Sequence, residues 1–120
     1  MRSDQKSLAD IYYRIITESS GRKVIEGDVD LRGLYLKELP EWLSGVEIGG
    51  YFSCDNNKLT TLAGAPETVE GYFYCNDNKL TTLAGAPKTV EGGFYCRNNP
   101  GNFTEEDVRA VSNVGEVIYV

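Results

Sequence analysis

The chain contains no histidine, so the commonest general base and the commonest metal ligand are both missing. Ser-His-Asp and Cys-His nucleophilic arrangements are therefore excluded. Neither a GxxxxGK[ST] nor a GxGxxG loop occurs, which removes the usual phosphate cradles. No run of about 18 apolar residues exists that could form a bilayer-spanning helix. Basic residues are outnumbered, 12 against 18 acidic, and a net charge of −6 excludes a broad phosphate-binding face, so direct nucleic-acid binding is not expected. The opening MRSDQKSLADIYYRII is interrupted by charges, unlike the apolar core of a secretory leader. The cysteines number three, each at the same place in a repeat, which predicts reduced thiols in a cytoplasmic setting. These absences together describe a chain with no catalytic residues, no cofactor and no metal.

What is present is a block that reads twice, GGYFSCDNNKLTTLAGAPETVEG and then GYFYCNDNKLTTLAGAPKTVEG. Gly50, Gly71 and Gly92 open equivalent units, as do Cys54, Cys75 and Cys96, so the period is 21 residues. A unit that short cannot bury its own apolar face, and stacking successive units is the solution, giving a solenoid. Phe73, Cys75, Asn78, Leu80 and Leu83 recur as Phe52, Cys54, Asn57, Leu59 and Leu62. A third copy starts at Phe94, Cys96 and Asn99 and breaks at Pro100-Gly101. A divergent first copy is VDLRGLYLKELP, with Leu34 in the asparagine slot and a two-residue insertion around Glu41-Trp42. At the other end Ile118 threads onto Phe94 at a spacing of 24.

Five stacked strands follow, near 27–32, 50–55, 71–76, 92–97 and 116–120, forming a single parallel sheet. The other half of each turn, LTTLAGAPxTVEG, is too short and too rich in Gly and Pro for a full helix. It reads as an irregular or short helical return with Leu62, Leu83, Val69 and Val90 inward. A helix over 3–18 places Leu8, Ile11, Tyr12, Ile15 and Ile16 on one stripe and would cap the first turn. Thr104 and Asp107 form a capping-box pattern, and Phe103 and Val108 a hydrophobic staple, for a short helix over 104–112. The fold expected is an α/β solenoid, a right-handed coil in one domain, 1–120. Its parts are a capping helix in 1–20, repeat turns over 27–99, and a helix and final strand over 100–120.

If Phe73 and Cys75 point inward, Tyr72, Tyr74 and Asn76 point out. Stacking gives one outward column Asp30, Ser53, Tyr74, Tyr95, Tyr119. Beside it run Asp28, Tyr51, Tyr72, Gly93, Val117 on one flank and Arg32, Asp55, Asn76, Arg97 on the other. Aromatic side chains with a polar tip are interface anchors. The candidate partner-binding set is therefore Tyr51, Tyr72, Tyr74, Tyr95 and Tyr119, with Asp30, Arg32, Asp55 and Arg97 at the rim. A ladder that only stabilises the sheet is the competing reading of the same tyrosines. The cysteines read as a buried column and the asparagines as structural turn residues. The strand at 117–120 would be an apolar edge, leaving a monomer or an edge-strand dimer as alternatives.

The slots F-x-C-x-x-N-x-L resemble the x-x-L-x-L-x-x-N/C-x-L core of the leucine-rich repeat over residues 27–120. The phrases GDVDLRGLYLKELPEWL, CxNNKLTTLxGAPxTV and FTEEDVRAVSNVGEVIYV are similar to short leucine-rich-repeat-like proteins of tailed phages and bacteria. That resemblance implies a protein-binding module and, for a phage-borne copy, an inhibitor of a host bacterial defence protein in the host cytoplasm. The sequence departs from the repeat at Glu70, where the first consensus leucine would stand; Val69 precedes it. An acidic mimic of nucleic acid occupying a basic host protein, and a self-assembling structural subunit, are the rival readings.

Overall fold

In a computed structural model of the chain, the described residues are Ile11 and 14–120. They form a mostly-sheet solenoid of about four turns whose strands, the first apart, stack in parallel. In chain order the elements are β1 (Ile16–Thr17), β2 (Lys23–Ile25), β3 (Val29–Asp30), a 3-10 turn (Glu41–Leu43) and β4 (Val46–Ile48). There follow β5 (Phe52–Ser53), β6 (Thr68–Val69), β7 (Phe73–Tyr74), β8 (Thr89–Val90), β9 (Phe94–Tyr95), helix α1 (Glu105–Arg109), β10 (Asn113–Val114) and β11 (Ile118–Tyr119).

Two sheets are present among the described residues, where the sequence reading expected one. The expected sheet is five-stranded in the order β11-β9-β7-β5-β3. Its register pairs Val29, Phe52, Phe73, Phe94 and Ile118 in one column, so the spacings of 23 and 24 both close correctly. The second sheet is six-stranded, β1-β2-β4-β6-β8-β10, and occupies the arc read as an irregular or helical return. The reason lies in Thr68-Val69 and Thr89-Val90. These β-branched pairs alternate outward and inward, and Val69 and Val90 are wholly buried, as expected, but on a pleated surface.

Between the two strands of each turn the chain rounds a corner made of glycine. The Gly71 N–H bonds the Gly50 carbonyl at 2.9 Å, and the Gly92 N–H bonds that of Gly71 at 3.0 Å. A Cβ on Gly71 would lie 2.9 Å from the Gly50 carbonyl, too close for any side chain. On the far arc Gly64 and Gly85 take φ of +88° and +89°, which ends any helical path through LAGAP.

The helix expected over 3–18 falls largely outside the described residues. Ile11 is helical and buried, but the end of that segment is different. Ile16–Thr17 is β1, antiparallel to β2 through a turn at 18–22, and Ile16 is exposed rather than on an apolar stripe. The two-residue insertion is absorbed by the 3-10 turn Glu41–Leu43, which buries Leu43. Helix α1 is shorter than the expected 104–112 but starts as read: Thr104 Oγ1 accepts from the Asp107 N–H, and the Asp107 carboxylate accepts from the Thr104 N–H. No helix of the described residues is long and apolar enough to cross a membrane.

The core runs along the coil axis in columns. Phe52, Phe73 and Phe94 are fully buried, with ring centroids 5.7 Å and 5.0 Å apart. Each such ring contributes about 1.5–3 kcal/mol on burial. Cys54, Cys75 and Cys96 form the next column, buried and unbridged; the Cys54 and Cys75 thiols donate to the carbonyls of Tyr74 and Tyr95. Burial pushes the Cys54 thiol far above its ordinary range.

Asn57, Asn78 and Asn99 then turn the chain out of the sheet. Asn78 accepts the Leu59 N–H at 3.1 Å and donates to the carbonyls of Cys54, Cys75 and Asn76 at 3.0, 3.3 and 3.0 Å. Asn57 and Asn99 make corresponding bonds. Each amide thus ties its own turn to the one before. The residues just before them, Asn56, Asp77 and Asn98, form a left-handed column with φ of 57°, 56° and 56°, and Gly33 at 67° holds the same place in the first turn. Asn and Asp tolerate that conformation better than other residues with a Cβ.

Candidate functional site

The tight coil decides what the five-stranded sheet presents outward. Successive turns bring residues of one slot into neighbouring strands, so identical side chains must stack. Tyr74 and Tyr95 rings stack at 4.8 Å with planes 24° apart, and Tyr95 and Tyr119 at 5.0 Å and 23°. From the corner, Tyr72 meets Tyr74 at 6.2 Å and Tyr95 edge-on at 6.0 Å, while Tyr51 meets Tyr74 edge-on at 6.1 Å. All five tyrosines of the candidate set therefore share one contiguous platform. Tyr72 and Tyr119 are 39% exposed, and Tyr51, Tyr74 and Tyr95 are half-buried against their neighbours.

The four charged candidates border that platform. Arg32 forks onto Asp30, Nε to Oδ1 and Nη2 to Oδ2, both at 2.9 Å. Hydrogen bonding to Asp30, and then its charge, raise Arg32 above its ordinary pKa. Arg97 lies over the Tyr119 ring, 4.9 Å from its centroid, a cation–π contact. Asp55 stands between them in its column and accepts the Asn76 N–H at 2.7 Å. Burial raises its carboxyl above the ordinary value, against the lowering effect of hydrogen bonds from Asn76.

Four further residues belong to this surface. Asp28 Oδ1 accepts the Tyr51 N–H at 2.8 Å, and the Tyr72 hydroxyl donates to Glu116 at 3.5 Å. Asn76 passes the side-chain ladder on to the Arg97 N–H at 2.7 Å. Ser53, in the tyrosine column, is only 2% exposed. The sequence placed it correctly between Asp30 and Tyr74, but strand alternation carries no signal that it would be buried.

Desolvation is the main reason that the phenols of Tyr74 and Tyr95 titrate above the ordinary tyrosine value, with neighbouring tyrosines adding to it. An acid whose folded pKa is raised keeps its proton longer in the folded state, so stability is lost as pH rises through the titration. Unfolding free energy should therefore begin to fall above about pH 8.5, where unfolded cysteines ionise while the buried Cys54 and Cys75 thiols do not, and fall further above about pH 10, where unfolded tyrosines ionise. Denaturant unfolding along a pH series, with phenolate absorbance followed in parallel, checks this. Stability rising above pH 10 would contradict it.

The fold and this surface define a class: a parallel, two-sheet solenoid with an aromatic platform on one sheet. Compared with protein-family models, with curated proteins and with solved structures, the chain matches none. The likeness to leucine-rich repeats thus rests on the slot pattern of the sequence alone.

Proposed function

We propose that this chain is a non-enzymatic protein-binding module whose binding surface is the tyrosine platform of the five-stranded sheet. The supporting observation is the contiguity of five tyrosine rings, each touching at least one other, on an outward sheet face with paired charges at its border. Aromatic area fixed in place by stacking loses little side-chain entropy on binding, which favours affinity. The leucine-rich-repeat likeness, and with it a phage-encoded inhibitor of a host bacterial protein in the cytoplasm, fits this reading. The acidic mimic fits less well. On the other arc Glu47 is paired with Arg22 at 2.7 Å and Glu67 with Lys88 at 3.4 Å, so part of that charge is compensated.

A photo-crosslinking residue separates the two surfaces. Placed at Tyr72, it should capture a host protein from lysate; placed at Glu67 on the far arc, it should not. Capture from Glu67 alone would shift the binding surface to the acidic arc.

A further inference from the structure

The tyrosine column has one gap. Its members are Tyr119, Tyr95 and Tyr74, and the next position along the coil is Ser53. A small side chain there leaves a cleft of about 280 Å³ in the platform, lined by Arg32, Tyr51, Ser53, Asp55 and Tyr74. Two walls are tyrosine rings set edge to face. A third wall is the Asp55 carboxylate, held by the Asn76 N–H through Oδ1, while Oδ2 has only a long 3.5 Å contact with the Asn76 amide. Among the described residues Asp55 takes part in no ion pair. The fourth wall, Arg32, has its charge matched by Asp30 through two hydrogen bonds.

A cleft with aromatic walls and a carboxylate that forms no ion pair favours a cation, with Arg32 already committed to Asp30. The face supplies its own precedent three turns along, where the Arg97 guanidinium lies on the Tyr119 ring. At Tyr74 the chain has no arginine of its own to do this, because the flanking column reads Arg32, Asp55, Asn76, Arg97. A guanidinium also fits better than an ammonium. Its plane can lie on a tyrosine ring while its edge donates to a carboxylate.

We propose that this cleft seats an arginine side chain of the binding partner, packed against the Tyr51 and Tyr74 rings and hydrogen-bonded to Asp55 Oδ2. The inference rests on the tyrosine platform being the binding surface, and it names what the partner must bring to it. The net charge of −6 complements such a partner at longer range.

The probe is Nα-acetyl-arginine amide, titrated into the isotopically labelled protein with amide chemical shifts as the readout. Nα-acetyl-citrulline amide, neutral and nearly isosteric, is the control. Saturable shifts should centre on Tyr51, Ser53, Asp55 and Tyr74, with citrulline binding at least about tenfold more weakly, since a hydrogen bond to a charged group supplies roughly 1.5–3 kcal/mol. Asp55→Asn should weaken arginine binding by a similar factor. Ser53→Tyr should fill the gap and abolish saturable binding while continuing the ring column. Equal binding of citrulline, arginine shifts centred on Glu67 or Glu70, or an unchanged Asp55→Asn variant would each overturn the proposal. The partner discriminates further. If Tyr74→Ala/Tyr95→Ala loses it and Asp55→Asn keeps full affinity, the arginine anchor fails and the platform stands. If both variants keep it, both readings fail.

Discussion

Asn78→Asp should destabilise the fold by more than about 4 kcal/mol at neutral pH, a large part of the roughly 5–15 kcal/mol that holds a domain together. The substitution keeps the oxygen that accepts the Leu59 N–H and replaces the donating NH2 with a second oxygen. That oxygen would face the carbonyls of Cys54, Cys75 and Asn76, all now near 3 Å from Nδ2, at a site only 3% exposed. Charge burial without a donor is among the costliest single changes available. Asn78→Ala should cost less, about 2–4 kcal/mol, because it leaves polar groups unpartnered without adding a charge. Cys54 and Cys75 carbonyls also keep bonds from Asn57 and Asn99.

The pH dependence separates the two variants. Burial would raise the pKa of the introduced carboxyl in the folded state. A raised folded pKa means the penalty is absent well below the unfolded value of about 3.9 and grows as pH rises, by up to about 1.4 kcal/mol per unit. Urea unfolding at pH 5 and pH 7.5 should show Asn78→Asp losing stability between them relative to Asn78→Ala. Equal losses at both pH values would mean that the asparagine column does not carry the turn-to-turn connection.

The second large effect concerns binding. Tyr74→Ala/Tyr95→Ala removes the central stacked pair of the platform, and with it the contacts of Tyr51, Tyr72 and Tyr119 that depend on that pair. Truncating two clustered aromatic anchors costs about 2–4 kcal/mol of binding or more. The fold should survive, because the inward Phe, Cys and Asn columns on the same strands are untouched. A cross-strand pair on an outward face contributes only about 0.2–1 kcal/mol. A double variant that fails to fold would make the ladder a structural column and not a recognition surface.

Much of this arrangement is legible in the residues. The repetition of Phe, Cys and Asn at 21 residues set the register of the five-stranded sheet, including the longer first and last turns. Outward alternation then placed Tyr74, Tyr95 and Tyr119 in one column. The six-stranded sheet was not legible because its Thr-Val strands sit in the Gly- and Pro-containing return, without the longer alternating run that surrounds Phe73–Tyr74 in GYFYCN. The only clue was a Thr-Val pair recurring with a charged residue after it. Helical spacing from Leu8 to Ile16 extended past the point where β1 begins, since periodicity does not report an antiparallel partner such as β2. The left-handed residues Asn56, Asp77 and Asn98 are exposed, and their backbone role comes from the turn itself. The cleft at Ser53 depends on how rings from two columns lean, which strand alternation does not encode.

The proposed recognition surface is the tyrosine platform. Its most direct test is calorimetric titration of the protein captured through Tyr72 against the wild type and against folded Tyr74→Ala/Tyr95→Ala, at two salt concentrations. The prediction is a loss of at least about 30-fold in affinity for the double variant, the equivalent of roughly 2 kcal/mol, with a shallow salt dependence for the wild type. Unchanged affinity in the folded double variant, with steep salt dependence, would contradict the claim and assign recognition to the acidic arc.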